Sequence, residues 1–173
     1  GLPEDSLQTA PDAPAWYHPG HSGSLKLGNK AVAYFGLIHP KVLTGLDVKG
    51  PVAGFEILLD ALPPIKARKS AAKAHLDLSA LQPVSRDFAF VVGDDVAAAA
   101  LVRAAKGADK AVITSVEVFD VFTGGNLGEG MKSIAFSVTL QPTTATFTDE
   151  EIDGIAAKIV AAVSKATGGT LRT

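Results

Sequence analysis

The sequence predicts an α+β chain in which a mostly antiparallel β fragment precedes a ferredoxin-like βαββαβ sandwich. Two observations carry that prediction. Residues 131–140, MKSIAFSVTL, alternate strictly: Ile134, Phe136, Val138 and Leu140 fall on one face, and Ser133, Ala135, Ser137 and Thr139 on the other. Residues 146–166 open with Thr148 and Glu151 at capping-box spacing and continue with Ile152, Ile155, Ile159, Val160 and Val163 on a helical stripe. With the segments upstream and the short tail downstream, the order becomes β-α-β-β-α-β, a split βαβ.

The elements follow in order. Residues 1–15 carry three prolines and little periodicity, so they are expected to be irregular. In GSLKLGNKAVAYFGLI (23–38), Gly28-Asn29 between two apolar segments signals a hairpin. HPKVLTGL (39–46) makes one helical turn, and PVAGFEILLD (51–60) another strand. PPIKARKSAAKAH (63–75) holds Lys66, Arg68, Lys69 and Lys73 with no acid among them, which suits a solvated linker or a basic strap beside phosphates. RDFAFVV (86–92) is a strand with Phe88, Phe90 and Val92 on one face; residues 95–106 form a helix, and KAVITSVEVFDVF (110–122) a long strand. Glycine after Thr167 closes the last helix and leaves room for a short final strand. The domains divide as 1–62, a linker at 63–79, and 80–173.

The 110–122 strand poses a problem of parity. Asp120 and Phe122 share a face, and the open face is the one that suits a carboxylate. Simple alternation then drives Ser115 and Glu117 into the core. A bulge near 117–119 repairs this. An open face that offers a carboxylate beside a ring suits a flat, hydrogen-bonding ligand. A turn-capping aspartate at an ordinary strand end is the plainer alternative.

Composition narrows the function classes. The net charge is −2, so no broad basic surface advertises nucleic acid, although a local site that works by stacking stays open. Without cysteine there is neither a disulfide framework nor a thiolate metal site. No apolar run reaches the roughly 18–20 residues of a membrane span. The chain starts at Gly1 without a signal-peptide pattern, and reads as a processed or excised piece of a cytoplasmic protein.

Catalytic motifs fail on inspection. GGNLGEGMKS (124–133) has glycines before Lys132-Ser133, but a strand follows, whereas a phosphate loop must open a helix. His18 and His21 lack cysteine or carboxylate partners at zinc spacing, and His39 and His75 are isolated. The acids at 149, 150, 151 and 153 suit a helix N-terminus. Arg86-Asp87 is a local ion pair or a phosphate contact.

WYHPGHSGSLKLG, FGLIHP, FEILLD, PVSRDFAFVV, VFDVFTGGNLGEGMKSIAF, TFTDEEI and the terminal GGTLR occur in that order. Together they resemble the C-terminal part of the β subunit of bacterial phenylalanyl-tRNA synthetase, across nearly the whole chain. The resemblance implies that residues from about 80 onward are its ferredoxin-fold anticodon-binding domain. It likewise implies that residues 16–62 are the end of a catalytic-like module that does no chemistry. It also implies tRNA(Phe) as partner, an α subunit in an α2β2 enzyme, and ATP and Mg used by the whole enzyme but not bound by this piece. Carried over, Asp120 accepts from the first anticodon base, a guanine; Phe122 stacks on it and Ser133 completes the pocket. Lys132 and Arg86 are added as candidate phosphate contacts.

Three positions depart from the family pattern. Phe122 stands where many members have tyrosine, HPGH replaces HPGR, and Thr144-Ala145-Thr146 replaces DRT. Two other readings compete: a stand-alone ferredoxin-like module for a small ligand or a regulated enzyme, and an acyl-phosphate hydrolase using Arg86 and Asn126.

Overall fold

Strand pairing explains the N-terminal half better than its composition does. The computed structural model describes residues 6–64, 79–125 and 127–172. The chain divides into two compact units, Gly1–Lys73 and Ala74–Thr173. In the first, β1 (Leu7–Ala10), β2 (Tyr17–Leu27), β3 (Lys30–Ile38) and β4 (Ala53–Ile57) form an antiparallel sheet in chain order. Leu27 pairs with Lys30 across Gly28-Asn29, so the expected hairpin is present. Helix α1 (Pro40–Gly45) starts at proline, with the His39 imidazole accepting from the Lys41 N–H.

Strand β1 corrects the expectation that residues 1–15 are irregular. Its backbone is recruited by the β2 edge, with Leu7 opposite Leu27 and Ala10 opposite Ser24. The turn beyond is tied down by Asp12, which accepts from the buried Ser24 hydroxyl and pairs with Lys26. These partners, Lys26 first, hold the Asp12 carboxyl below its ordinary range.

The second unit has the expected order: β5 (Val84–Gly93), α2 (Ala98–Ala108), β6 (Ile113–Thr123), β7 (Met131–Leu140), α3 (Asp149–Thr167) and β8 (Thr170–Leu171). The sheet runs β6-β7-β5-β8 with every neighbouring pair antiparallel. Helix α2 begins three residues later than expected. The Val96 N–H bonds to the Gly93 carbonyl, so residues 94–96 are spent in a turn, and N-cap Ala97 has no hydroxyl to start the helix earlier.

The core is the face that β7's alternation defines. Phe88, Phe90 and Val92 of β5 and Ile134, Phe136, Val138 and Leu140 of β7 are buried against Leu101 and Ala105 of α2 and Ile152, Ile155, Ile159 and Val163 of α3. Phe136 stacks between Phe88 and Phe90, each ring pair 5.8 Å apart. Removing one such ring costs about 3–5 kcal/mol, so this stack sets the stability of the unit.

Helix α3 is capped at both ends. The Thr148 hydroxyl accepts from the Glu151 N–H while the Glu151 carboxylate accepts from the Thr148 N–H. At the other end Gly168 adopts φ 68°, the left-handed cap that lets its N–H reach the Ser164 carbonyl. Lys158 bonds the Asp109 carboxylate at 2.9 Å, linking α3 to the end of α2 and holding the Asp109 pKa below its ordinary 3.8.

Three outcomes follow. A chain of residues 79–173 unfolds in one cooperative transition when followed by circular dichroism; a broad, non-cooperative melt would contradict this. In that chain Thr148→Ala costs about 1 kcal/mol in urea unfolding. Because the Asp109 pKa is lowered on folding, its contribution is present at neutral pH and lost as the pH falls through 3.8 and below. Asp109→Asn is therefore destabilising at pH 7 and nearly silent at pH 2, which urea titrations at the two pH values read directly.

Candidate nucleic-acid interface on the open sheet face

The face of the second sheet turned away from the helices is built by register. Residues directly opposite one another on neighbouring strands share a face. Val116 pairs with Val138 and Val118 with Phe136, so both lie on the core side. The register then slips between Val118 and Asp120, leaving Phe119 without a cross-strand partner and 60% exposed. A second slip leaves Thr114 extra between Ile113 and Ser115. These two bulges put Ser115, Glu117, Asp120 and Phe122 together on the open face, opposite Thr139, Ser137, Ala135 and Ser133. The expected bulge thus falls at Phe119. The Ser115 hydroxyl bonds that of Thr139 at 3.0 Å, consistent with this parity.

The rows of the face have distinct chemistry. Phe122, Ser133, Val91 and Thr170 form one row, and Asp120, Ala135, Ala89 and Arg172 the next, since the Arg172 N–H bonds the Ala89 carbonyl. Small residues occupy the two central strands, while Asp120 and Phe122 stand on one edge and Arg172 on the other. The edge strands are about 14 Å apart, three strand spacings. The result is a shallow saddle floored by small side chains. Arg172 reaches across it, its Cζ 6.0 Å from the centre of the Phe122 ring.

Phe122 remains 43% exposed, while Ser133 beside it is only 4% exposed. The glycine pair that ends β6 serves this arrangement. Gly125 has φ 65°, and a Cβ there would stand 3.3 Å from the Phe122 ring. Any larger residue would strain the turn and press on the ring.

The structure brings Asp120, Phe122 and Ser133 together, but not Lys132 or Arg86. Alternation puts Lys132 on the Ile134 side, where its ammonium donates to the Asp94 carbonyl at 2.6 Å. Arg86 pairs with Val138 and lies on the same helix-side face. Asp87 falls on the open face, so no local Arg86–Asp87 ion pair forms. The basic strap, Lys66 to Lys73, and Asn126 lie outside the described residues. Arg172 is the residue that sequence reasoning missed. Its signal was the GGTLR tail: a strand pairing Leu171 with Phe90 must put Arg172 on the open face.

In the first unit His18 and His21 stand 4.7 Å apart and His18 and His39 6.5 Å apart. Among the described residues no three His, Cys, Asp or Glu side chains are grouped to hold a metal ion. Nor, among them, is any helix long and apolar enough to cross a membrane.

The family described as "Ferredoxin-fold anticodon binding domain" matches residues 79–172. The chain belongs to that family. Residues 1–59 match the phenylalanyl tRNA synthetase beta chain CLM domain. The chain is 60% identical over 172 residues to the phenylalanine–tRNA ligase beta subunit of Paramagnetospirillum magneticum. It is 57% identical to that of Rhodospirillum rubrum and 53% identical to that of Mesorhizobium japonicum, each over 173 residues. These alignments take in 99–100% of this chain but 22% of each relative's length. The chain thus spans about a fifth of the relatives it matches, and the anticodon-binding domain is its C-terminal unit. Similarity along all of this chain favours the synthetase resemblance over a stand-alone ligand-binding module.

Proposed function

We propose that the open sheet face binds the anticodon of tRNA(Phe) and takes its first base, a guanine, between Phe122 and Asp120. The chain is then a non-catalytic, RNA-binding part of a phenylalanine–tRNA ligase. In that enzyme an α subunit is the partner, in an α2β2 assembly, and ATP with Mg serves the ligation, carried out in the cytoplasm.

One observation carries the reading: a half-exposed ring, a carboxylate and a guanidinium surround a floor of small side chains. A half-exposed phenylalanine keeps its π-face available to a base, an interaction worth roughly 1–3 kcal/mol. The Asp120 carboxylate accepts two hydrogen bonds at once from the N1–H and N2–H2 edge of guanine, an edge that adenine, cytosine and uracil do not present. Ser133 supplies a hydroxyl at the base of the ring. Arg172 faces the ring from across the sheet, where it can hold Phe122 by cation–π attraction or meet a neighbouring phosphate.

The phosphate contribution is small. Residues 80–173 carry eight Lys/Arg against eleven Asp/Glu, and Lys132 and Arg86 lie on the helix side of the sheet. Binding by the isolated chain is accordingly weak and shallow in its salt dependence.

Titration of an anticodon stem-loop with G or A at the first anticodon position tests this. Phe122→Ala weakens both by about 1–3 kcal/mol. Asp120→Ala weakens the G form selectively and brings the two affinities together, and Arg172→Ala weakens both. Unchanged affinity and preference in all three variants would remove this face as the RNA site.

A further inference from the structure

The open face becomes acidic along its length, from a half where Asp120 and Arg172 balance. Beyond the row of Asp120 comes a row made of Glu117, Ser137 and Asp87, and beyond it one of Ser115, Thr139 and Ser85. The hydroxyls of the last two rows bond to one another, Ser85 to Ser137 at 2.8 Å and Ser115 to Thr139 at 3.0 Å. Glu117 and Asp87 flank Ser137 from both sides, with their Cα atoms about 10 Å apart, two strand spacings. Both are exposed, and neither is ion-paired among the described residues. Arg172 is the one Lys or Arg among the described strand positions of this face and its immediate extension.

We infer that Asp87 and Glu117 fence the face: they confine RNA to the half bounded by Asp120, Phe122 and Arg172, so that the sheet takes one unstacked base and rejects a run of single-stranded RNA. The inference rests on the proposal that this face binds RNA at all. Surfaces that accept single strands without sequence preference pair stacking rings with a cationic groove that follows the phosphates. Here the ring is present and the groove is reversed in sign. A strand laid across the sheet from Phe122 toward Ser85 carries its phosphates over the Asp87–Glu117 row, where like charges face each other at close range. A single base entering beside Arg172 leaves its phosphates clear of that row. Rejecting the wrong binding mode by repulsion sharpens selectivity without strengthening the right one.

The test uses the 173-residue chain and its Asp87→Asn/Glu117→Gln variant. Both substitutions keep side-chain shape, and exposed carboxylates without ion partners contribute little to folding. The probes are a twelve-nucleotide oligo(U) and the anticodon stem-loop with guanine at the first position. In the variant, oligo(U) affinity rises about two- to fivefold at low salt, the effect of removing two unit charges near a phosphate in high dielectric. The gain shrinks as salt rises, because the repulsion removed is one that salt screens. Stem-loop affinity changes less. A charge-matched control, Asp149→Asn/Asp153→Asn on α3, leaves oligo(U) unchanged.

Oligo(U) binding that is equal, or equally absent, in chain and variant overturns the fence. So does an equal gain in the α3 control, which would make the effect one of net charge. Loss of the base-reading proposal shows separately, as stem-loop binding indifferent to Phe122→Ala.

Discussion

The alternation of β7 is the constraint on which the second unit depends. From Ser133 onward one side of that strand is apolar and the other is hydroxyl or methyl, so burying the first forces the second outward. A slip of one residue would exchange Phe136 for Ser137 in the core, which no other element could offset. The stack of Phe88, Phe136 and Phe90 fixes β5 against β7, and the isoleucine stripe of α3 then has a single surface on which to settle. The open face is thus defined by the core rather than chosen independently of it.

Strand β6 must satisfy that face with a less orderly sequence. Its residues Val116 and Val118 belong with the core, and Asp120 and Phe122 with the open side, yet the four share one numerical parity. A regular strand would carry all four to the same face. The unpaired Phe119 resolves the conflict by shifting the phase once, at the cost of a large exposed apolar side chain. The bulges have a second effect. They break the run of unpaired backbone groups along an edge strand, which otherwise invites pairing with another chain.

Charge on this unit is local rather than global. The unit as a whole carries an excess of acids over bases, but the chemistry of the open face is set by the few side chains around the saddle. Arg172 brings a cation to a ring on the far edge of the sheet, while Lys132, close to Phe122 in sequence terms, is held by the Asp94 carbonyl on the other side. Proximity along the chain is a poor guide here. Face and row decide.

By itself the sequence determined the α+β class, the order of the second unit, the capping box at Thr148 and the buried stripe of α3. These rest on local patterns with a period of 2 or 3.6, and local physics reads them directly. It also exposed the parity conflict around Asp120 and anticipated the bulge that settles it. It did not yield β1, because a proline-flanked segment with no periodicity of its own becomes a strand only when an edge of β2 offers hydrogen bonds to it. The alternation of their own strands already put Lys132 with Ile134 and Arg86 with Phe88, away from the open face; tertiary structure alone carried Arg172 to Phe122. Which strands are neighbours, and in what register, is set by packing between residues far apart in the chain; a side chain's reach across a sheet is written in no local pattern.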